Sequence, residues 1–298
     1  MPPLPFDIPD DRPVLIAGPT ASGKSALALR IATAQSRPVV NADALQVFDG
    51  WRILTARPTA EDEALAPHFL YGHVSCRGTY SVGAWLRDIS ALLPTFEAPP
   101  VIVGGTGLYF RALTEGLADI PAPDRRIREQ ADALLAEGGI AAMLPDLDSA
   151  TLARIDRQNP VRVRRAWEVQ RATGRGLAAW QDDTPPPRLP LFACVPVIID
   201  ADQDWLEGRI AQRFDGMMAR GALEEARGML ADWEPGRLSS RAIGAAELIA
   251  HLCGEITLDQ AVERAKAASR QYAKRQRTWF RHRMQGWRVY RLPRDGGL

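Results

Sequence analysis

The first group in this sequence equipped for chemistry is a lysine set between a glycine and a serine. The chain has three lysines against thirty-four arginines, and one of the three is Lys24 in Gly18-Pro19-Thr20-Ala21-Ser22-Gly23-Lys24-Ser25. That stretch fits G-x-x-x-x-G-K-[ST], a loop whose glycines let successive backbone amides turn toward one point. The positive end of the following helix adds to the field, and Lys24 puts a full charge on the outer phosphates. Ser25 carries the hydroxyl that holds a Mg ion in such loops. A polyphosphate ligand follows, though the motif does not say which one.

Other residues fall where they could act on that ligand. Asp43 follows the apolar run Pro38-Val39-Val40 by way of Asn41-Ala42. A carboxylate there can serve as general base, as partner to a metal, or as a helix cap or turn residue. Val101-Ile102-Val103 runs into Gly104-Gly105-Thr106-Gly107, where many P-loop NTPases carry an aspartate that supports Mg. Its absence argues against a hydrolytic motor or switch. Arg209 and Arg213 lie one helical turn apart after an apolar strand. They can jointly face anionic oxygens or pair at the surface with Glu207 or Asp215.

Strands must bring these groups to one edge. Val14-Leu15-Ile16-Ala17 precedes the glycine loop and a helix-forming run from Ala26 follows it. Further β-leaning runs end at Asp43, at Gly104-Gly105-Thr106 and at Asp200, with helical patterns between them. Such alternation predicts a mainly parallel sheet whose ligands sit at the carboxyl ends of the strands, where Gly18, Asp43 and Thr106 all fall. Only helical patterns, such as residues 124–137 and 161–171, lie between Ile120-Pro121-Ala122-Pro123 and Pro185-Pro186-Pro187. Beyond Asp200 the pattern is helical throughout, over residues 205–230, 241–252 and a basic stretch 258–284. The fold class expected is α/β: a P-loop NTPase-like parallel-sheet core beginning in residues 1–120, a helical insertion domain in 121–189, and 190–298 completing the core with basic helices.

A length of 298 residues at 46% hydrophobic composition is ample for a globular core. Cys76, Cys194 and Cys253 are odd in number and in no paired spacing, which points to a reducing cytosol rather than a disulfide framework or a zinc site. His68, His73 and Cys76 lack a fourth ligand nearby and read as packing or surface residues. The N-terminal MPPLPFDIPDD has neither basic region nor apolar core, so it is no signal peptide, and no apolar run approaches a membrane span. Net charge is only +1, but unevenly spread. Residues 154–175 hold seven arginines against two carboxylates, and residues 264–298 hold nine arginines and two lysines against Asp295. Two basic patches on an acidic body are a footprint for a polyanion larger than a nucleotide, or else solvated helix faces.

Five blocks then carry a resemblance: GPTASGKS, NADALQVFDGWRILTARP (41–58), VIVGGTGLYFRALTEGLADIP (101–121), NPVRVRRAWEV (159–169) and SRQYAKRQRTWFR (269–281). Together, in this order and over nearly the whole chain, they resemble the tRNA dimethylallyltransferases. The resemblance implies transfer of a dimethylallyl group from its diphosphate to the exocyclic amine of the adenosine beside the anticodon, at tRNA position 37. It implies that Gly18, Pro19, Thr20, Ala21, Ser22, Gly23, Lys24 and Ser25 cradle the diphosphate, with Mg on Ser25. Asp43 is then the base, Thr106 helps to position it, and Arg213 binds the diphosphate. Asp43, Ala44, Leu45, Gln46 and Thr106 are implied as tRNA contacts, with Arg128, Val161, Arg162, Val163, Arg164, Arg165 and Arg241. The partners implied are tRNA, through its anticodon stem-loop, and dimethylallyl diphosphate, with no membrane and a monomeric protein. Ala44 stands where the family has serine, Leu54 where it has glycine in the loop before Arg57-Pro58, and Ala245 where it has tyrosine after Gly244.

Two other readings use the same residues. A nucleotide kinase or a prenyltransferase acting on free AMP would need the phosphate loop but no second basic domain. A non-catalytic P-loop RNA-binding protein would need the basic domain but not Asp43 and Thr106 beside the loop.

Overall fold

The computed structural model describes residues 7–292, so Arg294 and Asp295 of the basic terminus and Pro2, Pro3 and Pro5 lie outside the described residues. The chain divides into two compact units, Met1–Thr114 with Leu189–Leu298, and Glu115–Arg188.

In the larger unit, β1 (Val14–Ala17) is apolar at every position and buried at every position. That is what a strand covered on both faces requires. β2 (Val39–Asn41), β3 (His68–Phe69), β4 (Val101–Gly104), β5 (Val195–Asp200) and β6 (Arg288–Arg291) join it in one sheet ordered β3-β2-β4-β1-β5-β6. All neighbours are parallel, with Val14 opposite Val101 and Val195. Alternate residues feed two cores. Leu15, Val40 and Ile102 pack with Trp85, Phe110 and Phe280, while Val14, Ile16 and Val103 pack with Leu27, Ile31 and Ile199. α1 (Lys24–Gln35), α2 (Ala60–Leu65), α3 (Val82–Leu92) and α4 (Gly107–Glu115) supply the crossovers.

The smaller unit is helical: α5 (Arg125–Gly138), α6 (Ser149–Arg154), α7 (Pro160–Thr173) and α8 (Leu177–Asp182). Asp124 caps α5 by accepting the Ile127 amide, and Asn159 caps α7 ahead of Pro160 at the first helical position. Ala131, Met143, Val163, Ala166 and Trp167 make its core.

After β5 the larger unit adds α9 (Gln203–Ala219), α10 (Ala222–Met229), α11 (Ala245–Leu252) and α12 (Leu258–Arg283). Phe214, Met217, Leu248 and Ile249 of this group enclose Trp51 and Leu54 from the loop after β2. Glu225 of α10 fixes that loop by accepting the amides of Ile53 at 2.7 Å and Leu54 at 3.0 Å. α12 opens on a capping box between Thr257 and Gln260 and ends with Arg281 and Arg283 in its last turn, cations suited to the negative end of a helix.

Beyond β5 the structure departs from expectation in two places. The helix expected over 205–230 is broken at Arg220 and Gly221, where Gly221 turns left-handed at φ 97°. The region after Asp200 is also not all helical, because β6 returns to the sheet edge beside β5.

Candidate active site

The phosphate loop turns on two left-handed residues, Ala21 at φ 63° and Gly23 at φ 81°, and α1 begins at Lys24. Gly18 is needed for space: a Cβ there would lie 2.7 Å from Ser22 Oγ. Ser22 is fully buried, and its hydroxyl oxygen has no hydrogen-bond partner among the described residues. Lys24 Nζ makes one long contact, to the Pro19 carbonyl at 3.4 Å. Burial, and then the neighbouring Arg213, push the Lys24 ammonium down to about 8, with Asp43 opposing. Arg213 is likewise lowered, foremost by burial, again with Asp43 opposing. Two half-buried cations have been brought together with only Asp43 named as an opposing charge, an arrangement that favours an anionic ligand.

Asp43 is held from both sides. Asn41, buried at the end of β2, accepts the Asp43 amide at 2.8 Å and donates to the Asp43 carbonyl at 3.0 Å. Asp43 Oδ1 accepts the Leu45 amide at 3.0 Å, a turn-forming bond that fixes the side chain. No hydrogen bond to Oδ2 is present among the described residues, and a Cβ on Gly105 would come within 3.1 Å of that oxygen. Of the two oxygens of this carboxylate, Oδ1 is committed to the turn and Oδ2 is left without a hydrogen bond among the described residues. Thr106 brackets the same loop: its amide donates to the Ala42 carbonyl at 3.2 Å and its hydroxyl oxygen accepts the Ala44 amide at 2.9 Å. Gly104 permits this approach, since a Cβ there would lie 2.0 Å from the Ala42 carbonyl oxygen.

Lys24, Ser25, Asp43 and Arg213 line one cleft at the carboxyl ends of the strands. Its apolar wall is Leu45, Leu54, Ile210, Phe214, Met217 and Ile243. Gln46 also reaches it, anchored by hydrogen bonds from Nε2 to the carbonyls of Thr55 and Ala56 at 2.9 and 3.0 Å. Arg209 and Arg213 share an adjoining recess with Ser22, Lys24 and Ser25. Thr106 and Arg241 are not part of either wall; Thr106 acts on the Asp43 loop, and Arg241 is exposed in the turn Ser239–Arg241. Thr55 also lines the main cleft, as do Ser269, Tyr272 and Gln276 on one face of α12; none of these was singled out in the sequence. For the three on α12, their i, i+3, i+7 spacing inside SRQYAKRQRTWFR was the available signal.

The basic surfaces sort into free and committed charges. In the smaller unit Val161 is 74% exposed, and Arg128 and Arg162 are exposed. Val163, expected with them at an RNA surface, is instead fully buried, because positions 163, 166 and 167 form the inward face of α7. Arg164 is engaged by Glu168 at 2.7 Å and Asp132 at 2.5 Å. Arg165 is lowered by burial and by the like charge of Arg128, with Glu168 opposing. On α12, Lys266 is paired with Asp215 at 2.8 Å and Arg277 with Asp200 at 3.3 Å, whereas Lys274, Arg275, Arg281 and Arg283 are exposed.

A parallel sheet with a glycine loop at its carboxyl edge, and a lysine and an arginine meeting there, defines a P-loop phosphate-binding protein. Comparison with known proteins narrows the class. The sequence matches the family described as IPP transferase over residues 46–283, and isopentenyl transferase over residues 12–66. A relative from Cereibacter sphaeroides described as tRNA dimethylallyltransferase is 63% identical over 293 residues, 98% of this chain and 100% of the relative. Among solved structures, the full-length tRNA isopentenylpyrophosphate transferase from Bacillus halodurans is similar at TM-score 0.67 and 31% identity, over 94% of this chain and 90% of the other. A eukaryotic dimethylallyltransferase acting on tRNA shares the fold at TM-score 0.75 and 23% identity, over 94% of this chain and 73% of its own. The chain belongs to the IPP transferase family of tRNA dimethylallyltransferases.

Proposed function

We propose that this chain transfers a dimethylallyl group from dimethylallyl diphosphate to the exocyclic amine of the adenosine at tRNA position 37, releasing diphosphate. The observation that carries the reading is the composition of the cleft. Lys24 and Arg213 suit a diphosphate, and Leu54, Ile210, Phe214, Met217 and Ile243 suit the five-carbon chain attached to it. A nucleotide kinase would have no use for the arginine-rich helical unit.

An adenine amine is a poor nucleophile inside a base stack, so the base must leave the stack to react. Asp43 Oδ2 accepts the amine proton as the carbon–nitrogen bond forms, while Oδ1 keeps its turn bond. Lys24, Arg213 and the loop amides neutralise the departing diphosphate. The apolar wall excludes water from the allylic carbon as positive charge develops on it. Thr106 holds Asp43 in place through the amides and carbonyls on either side. Ser25 would supply one oxygen for Mg, and among the described residues no group of three His, Cys, Asp or Glu able to hold a metal exists. That donor set fits an ion arriving with the substrate's phosphate oxygens and water. When bound, Mg adds charge stabilisation on the phosphate oxygens.

Arg128, Arg162 and Arg165, with the exposed cations of α12, suit the phosphates of the anticodon stem-loop. Arg241 is a further candidate contact. The expected setting is a reducing cytosol and the expected state a monomer; among the described residues no helix is long and apolar enough to cross a membrane, and the three cysteines are free. Incubation with tRNA and either labelled dimethylallyl diphosphate or γ-labelled ATP tests the reading: label enters RNA from the first only.

Two measurements probe the separate parts. Alanine at Arg128, Arg162 and Arg165 should weaken tRNA binding and lower its salt slope by about 0.7 to 0.9 per lost phosphate contact, leaving diphosphate affinity unchanged. An unaltered slope would make this patch a solvated surface. The second concerns Lys24, whose ammonium sits near 8 without ligand and is raised by a bound anion. Binding therefore takes up a proton above that pH, and affinity falls as pH rises past 8 by up to about tenfold per unit. Calorimetric titration with diphosphate in a chelator, for wild type and Lys24→Met, isolates this effect from the ligand's own ionisation. The ratio of affinities should be constant below pH 8 and shrink above it; a ratio independent of pH would place the lysine off the phosphates.

A further inference from the structure

Gln276 lies midway along the basic helix α12, yet its side chain is only 6% exposed. Burying a carboxamide is costly unless both ends are hydrogen-bonded. Here both are. Oε1 accepts the Thr20 amide of the phosphate loop at 2.9 Å, and Nε2 donates to the Gly105 carbonyl at 3.0 Å. Gly105 is shaped for this contact, since a Cβ there would fall 2.3 Å from Nε2.

The two bonds join loops that end different strands. Gly105 leads directly to Thr106, which grips Ala42 and Ala44 on either side of Asp43. One side chain thus connects the backbone of the phosphate loop to the hydrogen bonds that fix the carboxylate. We propose that Gln276 is a positioning residue for the transfer reaction, setting the distance between the loop that holds the leaving diphosphate and the loop that holds the proton acceptor. The inference rests on the prenyl-transfer reading above. Such a reaction needs the acceptor amine, the allylic carbon and the diphosphate aligned at once, and small misplacements of bound groups cost large factors in rate. α12 also carries the exposed Lys274 and Arg275 next to Gln276, so the helix facing solvent with cations faces the chemistry with a carboxamide.

The test uses the full chain with tRNA and labelled dimethylallyl diphosphate. Transfer by wild type is read first, and its absence would strike the reading of function, not the role of Gln276. Gln276→Met keeps the bulk without the hydrogen bonds, and Gln276→Ala removes both; should the alanine variant not fold, the methionine variant alone decides. With both substrates saturating, the single-turnover rate is expected to fall about tenfold or more in each variant, with affinities for tRNA and for diphosphate within about threefold of wild type. A methionine variant within threefold of the wild-type rate would make Gln276 a packing residue. So would a loss found wholly in weaker binding, with the saturated rate unchanged.

Discussion

Asp43→Asn is expected to slow the chemical step of prenyl transfer by about a hundredfold or more, the usual scale for removing a general base. The substitution is well matched to the geometry. Asparagine keeps an oxygen for the Leu45 amide, now accepted by Oδ1 at 3.0 Å, so the turn persists. It replaces Oδ2, the atom without a hydrogen-bond partner that faces Gly105, by a group that cannot take a proton. Affinities for tRNA and diphosphate should change much less, because the proton moves only as the transition state forms. Single-turnover prenylation with both substrates saturating checks this. A rate within a few fold of wild type would leave Asp43 with its turn role alone.

Alanine at Lys24 or at Arg213 should each lower the same rate by about a hundredfold to a thousandfold, the scale for removing one preorganised group from developing charge. Both side chains line the same cleft and are half-buried, and burial lowers the ionisation of each. Among the described residues neither has a carboxylate hydrogen-bonded to it, so the loss of either breaks no ion pair there. Each variant should therefore fold, and each should also bind diphosphate more weakly. A double variant no slower than the singles would show that they act as one unit. Normal rates in both singles would remove the phosphate loop from the chemistry.

The sheet was legible where burial is complete. β1 and β4 are apolar and buried at every position, as a strand covered on both faces must be, and β2 and β5 carry apolar runs that end on Asn41 and Asp200. β3 has only two residues, and β6 is Val289 and Tyr290 between arginines at the sheet edge, mostly exposed, so neither carries an apolar signal. The break between α9 and α10 was signalled only by Gly221, because helical periodicity resumes at once beyond it. In the site, Lys24, Ser25, Asp43 and Arg213 could be placed from a motif, a strand end and a helical turn. Gln276 and Glu225 could not. Their roles come from backbone groups brought close by folding from distant parts of the chain, the Thr20 amide for one and the Ile53 and Leu54 amides for the other. Val163 is the reverse case, since its spacing to Ala166 and Trp167 marks it as core although its neighbours are basic.

The central claim, that a prenyl group passes to an adenosine of tRNA, is tested most directly by mass analysis of nucleosides. tRNA lacking the modification is incubated with the purified protein, dimethylallyl diphosphate and Mg, then digested. The account predicts that the adenosine beside the anticodon gains one dimethylallyl group in place of one amine hydrogen, with one diphosphate released per modified base. Unmodified adenosine after full incubation, or phosphate added to the RNA or to free AMP instead, would contradict it.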